Sequence, residues 1–233
     1  MSWARTREEP VGKHRRKITG LDGSGGKKRD RRAIELVWYW LDRMDDAIER
    51  IVSLECLPEP IDCRPGCHYC CYNQPIVTPP EALLIGHSVE ETFTDRERLE
   101  LFERMVSILE VTRDKGQDEI MMMRHELPCI FLINGMCSLY EVRPAICRAC
   151  SSTSAEHCAT VFESRDTRAR LRCYAQIREI FQTTHAGLIE NCEDMGCQSD
   201  FLLIAEAMHD YFQHPRPIEA WLDGDKVFHP REG

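Results

Sequence analysis

Aromatic residues are scarce in this 233-residue chain, at 8%, and no apolar run is long enough to cross a membrane. The best candidate, Ile34 to Leu41, ends at Asp42, far short of the ~20 residues a spanning helix needs. The opening residues, Ser2 to Glu9, are too polar for a secretory signal core. A reducing, cytoplasmic location is therefore expected, with no membrane partner. No Ser/His/Asp arrangement, phosphate-binding loop or fixed-period repeat is legible. Acidic runs such as Asp42-Arg43-Met44-Asp45-Asp46 read as solvated helix faces rather than acid–base pairs.

Charge and cysteine are abundant, and both are unevenly spread. The formal charge is −9. Residues 1–32 carry +7, which leaves −16 on the remainder. An acidic body repels phosphates, so no nucleic-acid partner is expected. The segment 1–32 reads as a basic disordered tail, rich in Lys, Arg and Gly. It is either a solubilising tail or a docking arm for an acidic protein partner.

The expected fold class is mainly α: a helical domain over 33–214, with a small Cys-rich metal-binding region that contains a short β-hairpin. Ile34, Val37, Leu41, Met44, Ile48, Ile51 and Val52 recur at helical spacing and predict a helix over 33–56. Four prolines between 57 and 78 predict loop. Thr78-Pro79-Pro80-Glu81 and Thr94-Asp95-Arg96-Glu97 each open a helix with capping-box chemistry, the second running to about residue 115. Asn134-Gly135 marks a hairpin turn. One long helix is expected over 159–186 and another from Ser199-Asp200 to about Phe212, with 215–233 loose.

Thirteen cysteines in a reducing compartment point to metal or redox chemistry. Cys63, Cys67, Cys70 and Cys71 form one group, around a Pro65-Gly66 turn. Cys129, Cys137 and Cys147 form a second, and Cys150 completes another Cys-x-x-Cys. Thiolates are soft donors that suit zinc or an iron–sulfur cluster. Adjacent side chains diverge, so Cys70 and Cys71 are expected to face different neighbours. Hairpin parity supplies a test. A two-residue Asn134-Gly135 turn pairs Leu132 with Cys137 and puts Cys129 and Cys137 on opposite faces. A three-residue loop pairs Phe131 with Cys137 and puts both on one face. A site shared by Cys129 and Cys137 therefore predicts the longer loop. Cys56 and Cys173 are read as core residues on helical faces, Cys158 as intermediate, and Cys192 and Cys197 as a further ligand pair. His68 and His157 lie beside cysteines and are minor ligand candidates.

The pattern Cys-x3-Cys-x2-Cys-Cys, followed by Pro128-Cys129, Phe131, Gly135, Cys137, Tyr140, Arg143-Pro144 and Cys147-Arg148, resembles the YkgJ-type CxxCxxCC cysteine-cluster family. The resemblance spans roughly 63–148 and implies a cytoplasmic protein that chelates zinc or iron, with a [4Fe–4S] cluster or Zn2+ as cofactor. Flagellin lysine N-methylases carry a similar cluster. Arg143 and Arg148 are candidates for stabilising the centre's negative charge. The alternative is an ordinary ion pair with Glu141 or another acid.

Three functions follow. The first is a metal- or cluster-binding protein. The second is a [4Fe–4S]-dependent enzyme of methyl-transfer or radical type, since Cys63-x3-Cys67-x2-Cys70 also fits the radical-enzyme spacing. The third is a zinc-stabilised protein-interaction module.

Overall fold

The computed structural model describes residues 25–54, 57–63, 66–165 and 173–230. Among them the chain is mainly helical, with two small antiparallel sheets of two strands each. Residues 1–24, Cys56, Arg64 and Pro65 lie outside the described residues.

The first helix, α1 (Gly25–Ser53), begins eight residues before the expected start at 33, so residues 25–32 of the segment expected to be a disordered tail are helical, Lys and Arg being good helix formers. Its buried stripe is nevertheless the one read from the sequence: Ile34, Val37, Leu41 and Met44 face the core. The capped helices follow as α2 (Pro79–Thr92) and α3 (Asp95–Thr112). Their caps are real. Glu81 accepts from the Thr78 amide, and Glu97 from the Thr94 amide, each at 2.8 Å. A short α4 (Gln117–Met122) precedes the cysteine region, where α5 (Ala145–Ala149) is the helical element.

The helix expected over 159–186 is two helices, α6 (Ala155–Glu163) and α7 (Ala175–Asp194). The break comes after Ser164, where Arg165 adopts a left-handed φ of 55°. Cys173 lies on an isolated bridge to Ser152, not on a helical face.

The last expected helix starts late, as α8 (Ile204–Gln213). Residues before it are diverted into two other bonds. Leu202–Leu203 (β4) pairs with Ile76–Val77 (β1), in register Val77↔Leu202. The Gln198 side chain accepts from the Val227 and Phe228 amides at 3.2 and 3.0 Å, and its Nε2 donates to the Phe228 carbonyl at 2.6 Å. This clasp also explains the end of the chain. The stretch 215–233 was expected to be loose. It contains α9 (Pro217–Leu222) and buries Trp221, Val227 and Phe228. Pro217 starts that helix, because its missing N–H is one a first turn leaves unpaired anyway.

The core lies between α1, α2, α3 and α8, with α7 packed against α1. At the α2–α8 contact, Gly86 faces the ring of Tyr211, whose hydroxyl donates to Glu90 Oε2 at 2.9 Å. A Cβ on Gly86 would sit 2.5 Å from that buried ring. Gly86→Ala should therefore cost about 1–3 kcal/mol by overpacking. Gly187→Ala is the control. It lies inside α7 with nothing within 4 Å of a new Cβ, so it should stabilise by about 0.5–1 kcal/mol. Urea unfolding of both variants would check the pair, and equal effects would contradict this packing.

Candidate metal centre

Four separate stretches are tied together here, mostly by backbone. The Asp62 amide donates to the Ser152 carbonyl at 2.8 Å, and the Ser152 amide to Cys63 Sγ at 3.1 Å. Asp62 also caps α6, accepting from the Ala155 amide at 2.8 Å. Cys70 and Cys71 ride on one 3-10 turn, Tyr69–Tyr72. Its two tyrosines pack on Phe162 of α6, with ring centroids 5.8 and 4.7 Å apart. The Cys129 amide donates to the Cys71 carbonyl at 2.7 Å. Gln74, left-handed at φ 41°, adds a side-chain bond to the Leu127 carbonyl at 2.6 Å. The fourth stretch is α5, which carries Cys147 and ends just before Cys150.

Cys70 is the hub of the thiols. Interaction with the neighbouring Cys150 and Cys71 thiols holds its own thiol well below the ordinary range. The same interactions, with burial second, push Cys71 and Cys150 up. Burial pushes Cys129 up to about 12, and the neighbouring Cys137 adds to the effect. Cys147 is raised well above its usual value by burial, then by Cys129, Cys70 and Cys137. Burial also raises Cys63 to about 12 despite the Ser152 bond, with Cys67, Cys70 and Cys158 contributing. Six thiols thus share one partly dry region around Cys70. Cys63, Cys67, Cys158 and Cys173 flank it on the Ser152 side.

The hairpin of Leu132–Ile133 (β2) and Met136–Cys137 (β3) has the two-residue turn: Leu132 pairs with Cys137 and Ile133 with Met136. Asn134 and Gly135 are both left-handed, at φ 50° and 76°, as this turn requires. The longer loop expected for a shared site is therefore not what forms. Strand parity does not reach Cys129, however. The Leu132 amide donates back to the Cys129 carbonyl at 2.8 Å, which makes 129–132 a turn. The face of Cys129 is set by that turn and not by the strand. Gly135 lies close to His68, where a Cβ would stand 3.5 Å from Nδ1. His68 Nδ1 is 2.9 Å from the Gly66 carbonyl, and its ring stacks on Tyr69.

The two arginines make an ion pair, but the acid is Asp45 of α1 and not Glu141. Arg148 Nη1 donates to Asp45 Oδ2, and Arg143 Nη2 lies 3.4 Å from Oδ1. Glu141 contributes only its backbone carbonyl, 2.8 Å from Arg148 Nη2. Arg148 is 6% exposed and also donates to the Arg143 carbonyl at 2.8 Å. Arg143 stacks over Tyr140 at 4.0 Å, and its charge lowers the Cys137 and Cys147 thiols against the effect of burial.

Glu81 was read as a helix cap, and it proves to be more. It is fully buried. Oε1 accepts from the Ala145 amide at 2.8 Å, at the start of α5, and His185 Nε2 of α7 is 3.5 Å from Oε2. Burial pushes its carboxyl up, but His185 and the Ala145 and Thr78 amides outweigh that and leave it below the usual range. The Thr78-Pro-Pro-Glu81 motif signals the cap. Nothing in the sequence signals the bond to Ala145, 64 residues away.

Residues 62–179, just over half of the chain, match the family model CxxCxxCC, described as "Putative zinc- or iron-chelating domain". The chain belongs to the CxxCxxCC family. Metal binding by cysteines is the property that this membership carries. Comparisons with curated proteins and with solved structures return no match. Among the described residues, no three His, Cys, Asp or Glu side chains already stand in metal-holding geometry. The CxxCxxCC domain fits the metal by donor chemistry: soft thiols, grouped and mutually interacting, with a guanidinium nearby to offset their charge. Cys192, near the end of α7, and Cys197 just beyond it are joined by a 2.8 Å backbone bond, and Cys197 adds to burial in raising the Cys192 thiol.

Glu81→Gln should lower stability by about 1–3 kcal/mol, because one amide oxygen cannot serve both Ala145 and Thr78. The glutamate's carboxyl is depressed in the fold. Its contribution is thus in place above the ordinary range of about pH 4.3 and is lost as pH falls further. Acid unfolding followed by circular dichroism should be flatter for the variant. Identical acid profiles would refute the role given to Glu81.

Proposed function

We propose that the protein holds zinc or iron in a centre built on Cys70, with Cys67, Cys147 and Cys150 completing a four-thiolate set. What supports this reading is the interaction of the Cys150 thiol with that of Cys70, which lowers Cys70 and raises Cys150. In this reading the Cys147-x-x-Cys150 unit faces the Cys67-x-x-Cys70 unit, since two such pairs make a closed structural zinc site. A reducing cytoplasm would keep the thiols available for it.

A second reading is a [4Fe–4S] cluster on Cys70, Cys129, Cys137 and Cys147. Its support is the mutual influence of those four thiols. Cys63 and Cys71 would then lie beside the cluster. In either reading, Arg143 offsets the negative charge of four thiolates, while Asp45 of α1 anchors α5 through Arg148.

Purification without oxygen, followed by measurement of Zn, Fe and acid-labile sulfide, separates the two readings. Stoichiometric zinc that is lost in Cys150→Ser but kept in Cys129→Ser supports the first. Iron with matching sulfide, a broad visible charge-transfer band and the opposite pattern of loss supports the second. A protein that binds neither metal under these conditions would overturn both.

The pH dependence has a definite sign. Cys147 in both readings, with Cys150 in the first and Cys129 in the second, has a raised pKa in the fold, so these ligands are protonated at neutral pH and must release protons on binding. Affinity should therefore rise with pH, about tenfold per unit for each proton released. Competition with a metal-sensitive dye between about pH 6 and 8 measures it, and a flat profile would contradict the protonated thiols.

A further inference from the structure

The outer face of α1 does not belong to the cysteine site. Lys28, Arg32, Leu36, Tyr39, Trp40 and Arg43 are spaced at three to four residues, so they share one side of the helix. Leu36 is 54%, Tyr39 50% and Trp40 39% exposed. The guanidinium of Arg43 lies 5.4 Å from the Tyr39 ring centroid. The acids near this face are engaged locally. Asp42 and Asp46 pair with Arg43, and Glu35 pairs with Arg31, so Lys28 and Arg32 are the cations that this face offers an anionic surface.

We propose that this face of α1 docks on an anionic membrane surface, with the helix lying in the plane of the lipid headgroups. The residue types are those of an interfacial helix: aromatic and aliphatic side chains enter the headgroup boundary, while Lys and Arg meet acidic lipids. Trp and Tyr are favoured at that depth because each has an apolar ring and a polar edge. Charge fixes the orientation. The sequence carries +7 over residues 1–32, the last eight of which are the first turns of α1, whereas the rest of the chain carries −16 and is repelled by the same surface. A plane touched along one helix lets the acidic body point away. A nucleic acid, which surrounds itself with phosphate, would not gain from Leu36. The short apolar run that cannot span a bilayer is therefore suited to lying on one.

The test uses the full chain and unilamellar vesicles of phosphatidylcholine alone or mixed with phosphatidylglycerol. Co-sedimentation with the mixed vesicles is expected, falling about tenfold or more on neutral vesicles and also as salt is raised. Tyr39→Ser/Trp40→Ser leaves every basic residue in place. It should weaken binding about tenfold, with circular dichroism and metal content unchanged. Arg32→Glu should weaken it as well. Equal binding to neutral vesicles, or binding unaffected by the double variant, would overturn the proposal. So would tighter binding to a DNA or RNA oligonucleotide than to vesicles. A dimer in solution that the double variant dissociates would assign the face to a second copy instead.

Discussion

A single buried carboxylate ties the helical body to the cysteine region. Glu81 has no solvent to share its charge with, so its bonds are obligatory. They run to Thr78, where α2 begins, to Ala145, where α5 begins, and toward His185 on α7. A helix of five residues has little stability of its own. Here its first turn is held by a charge rooted in the core, so Cys147 and Cys150 are placed by the body of the protein rather than by a loop.

The same logic governs the other elements around Cys70. Asp45 reaches from α1 to Arg148 and Arg143. Ser152 bonds back to the Asp62–Cys63 strand of loop, and Cys71 accepts from Cys129. The thiol-bearing stretches are short, and they are secured by backbone bonds to one another or, for α5, by the Glu81 and Asp45 carboxylates. Small folds with metal sites commonly gain stability from the metal itself. In this chain an ordinary hydrophobic core, from α1, α2, α3 and α8, stands beside the site and supports it.

Much of this was legible in the sequence, and the reasons are local. Capping boxes at Thr78 and Thr94 depend on residues three apart, so they were read correctly. The buried stripe of α1 follows from helical period. The cysteine spacing announced the metal chemistry, and membership of the CxxCxxCC family agrees with it. The misreadings came where a distant partner overrode a local tendency. Ser199-Asp200 looks like a helix start, but Gln198 and the β1–β4 pairing hold that stretch extended. The segment after Pro215 has the composition of a loose end, yet Trp221 and Phe228 find a place in the core.

The sequence by itself determined that thiols dominate the chemistry, that helices dominate the fold and that the hairpin turns at Asn134-Gly135. These features rest on residue type and near-neighbour spacing. Only the tertiary structure decided that Cys70 is the hub, since that depends on Cys150 arriving from 80 residues away. It also decided that Asp45 is the arginines' partner, and that a turn at Cys129–Leu132 sets the direction of Cys129. Contacts of this kind join residues with no sequence relation. They exist because the core brings their elements together and because buried charges and amides must be paired once it does.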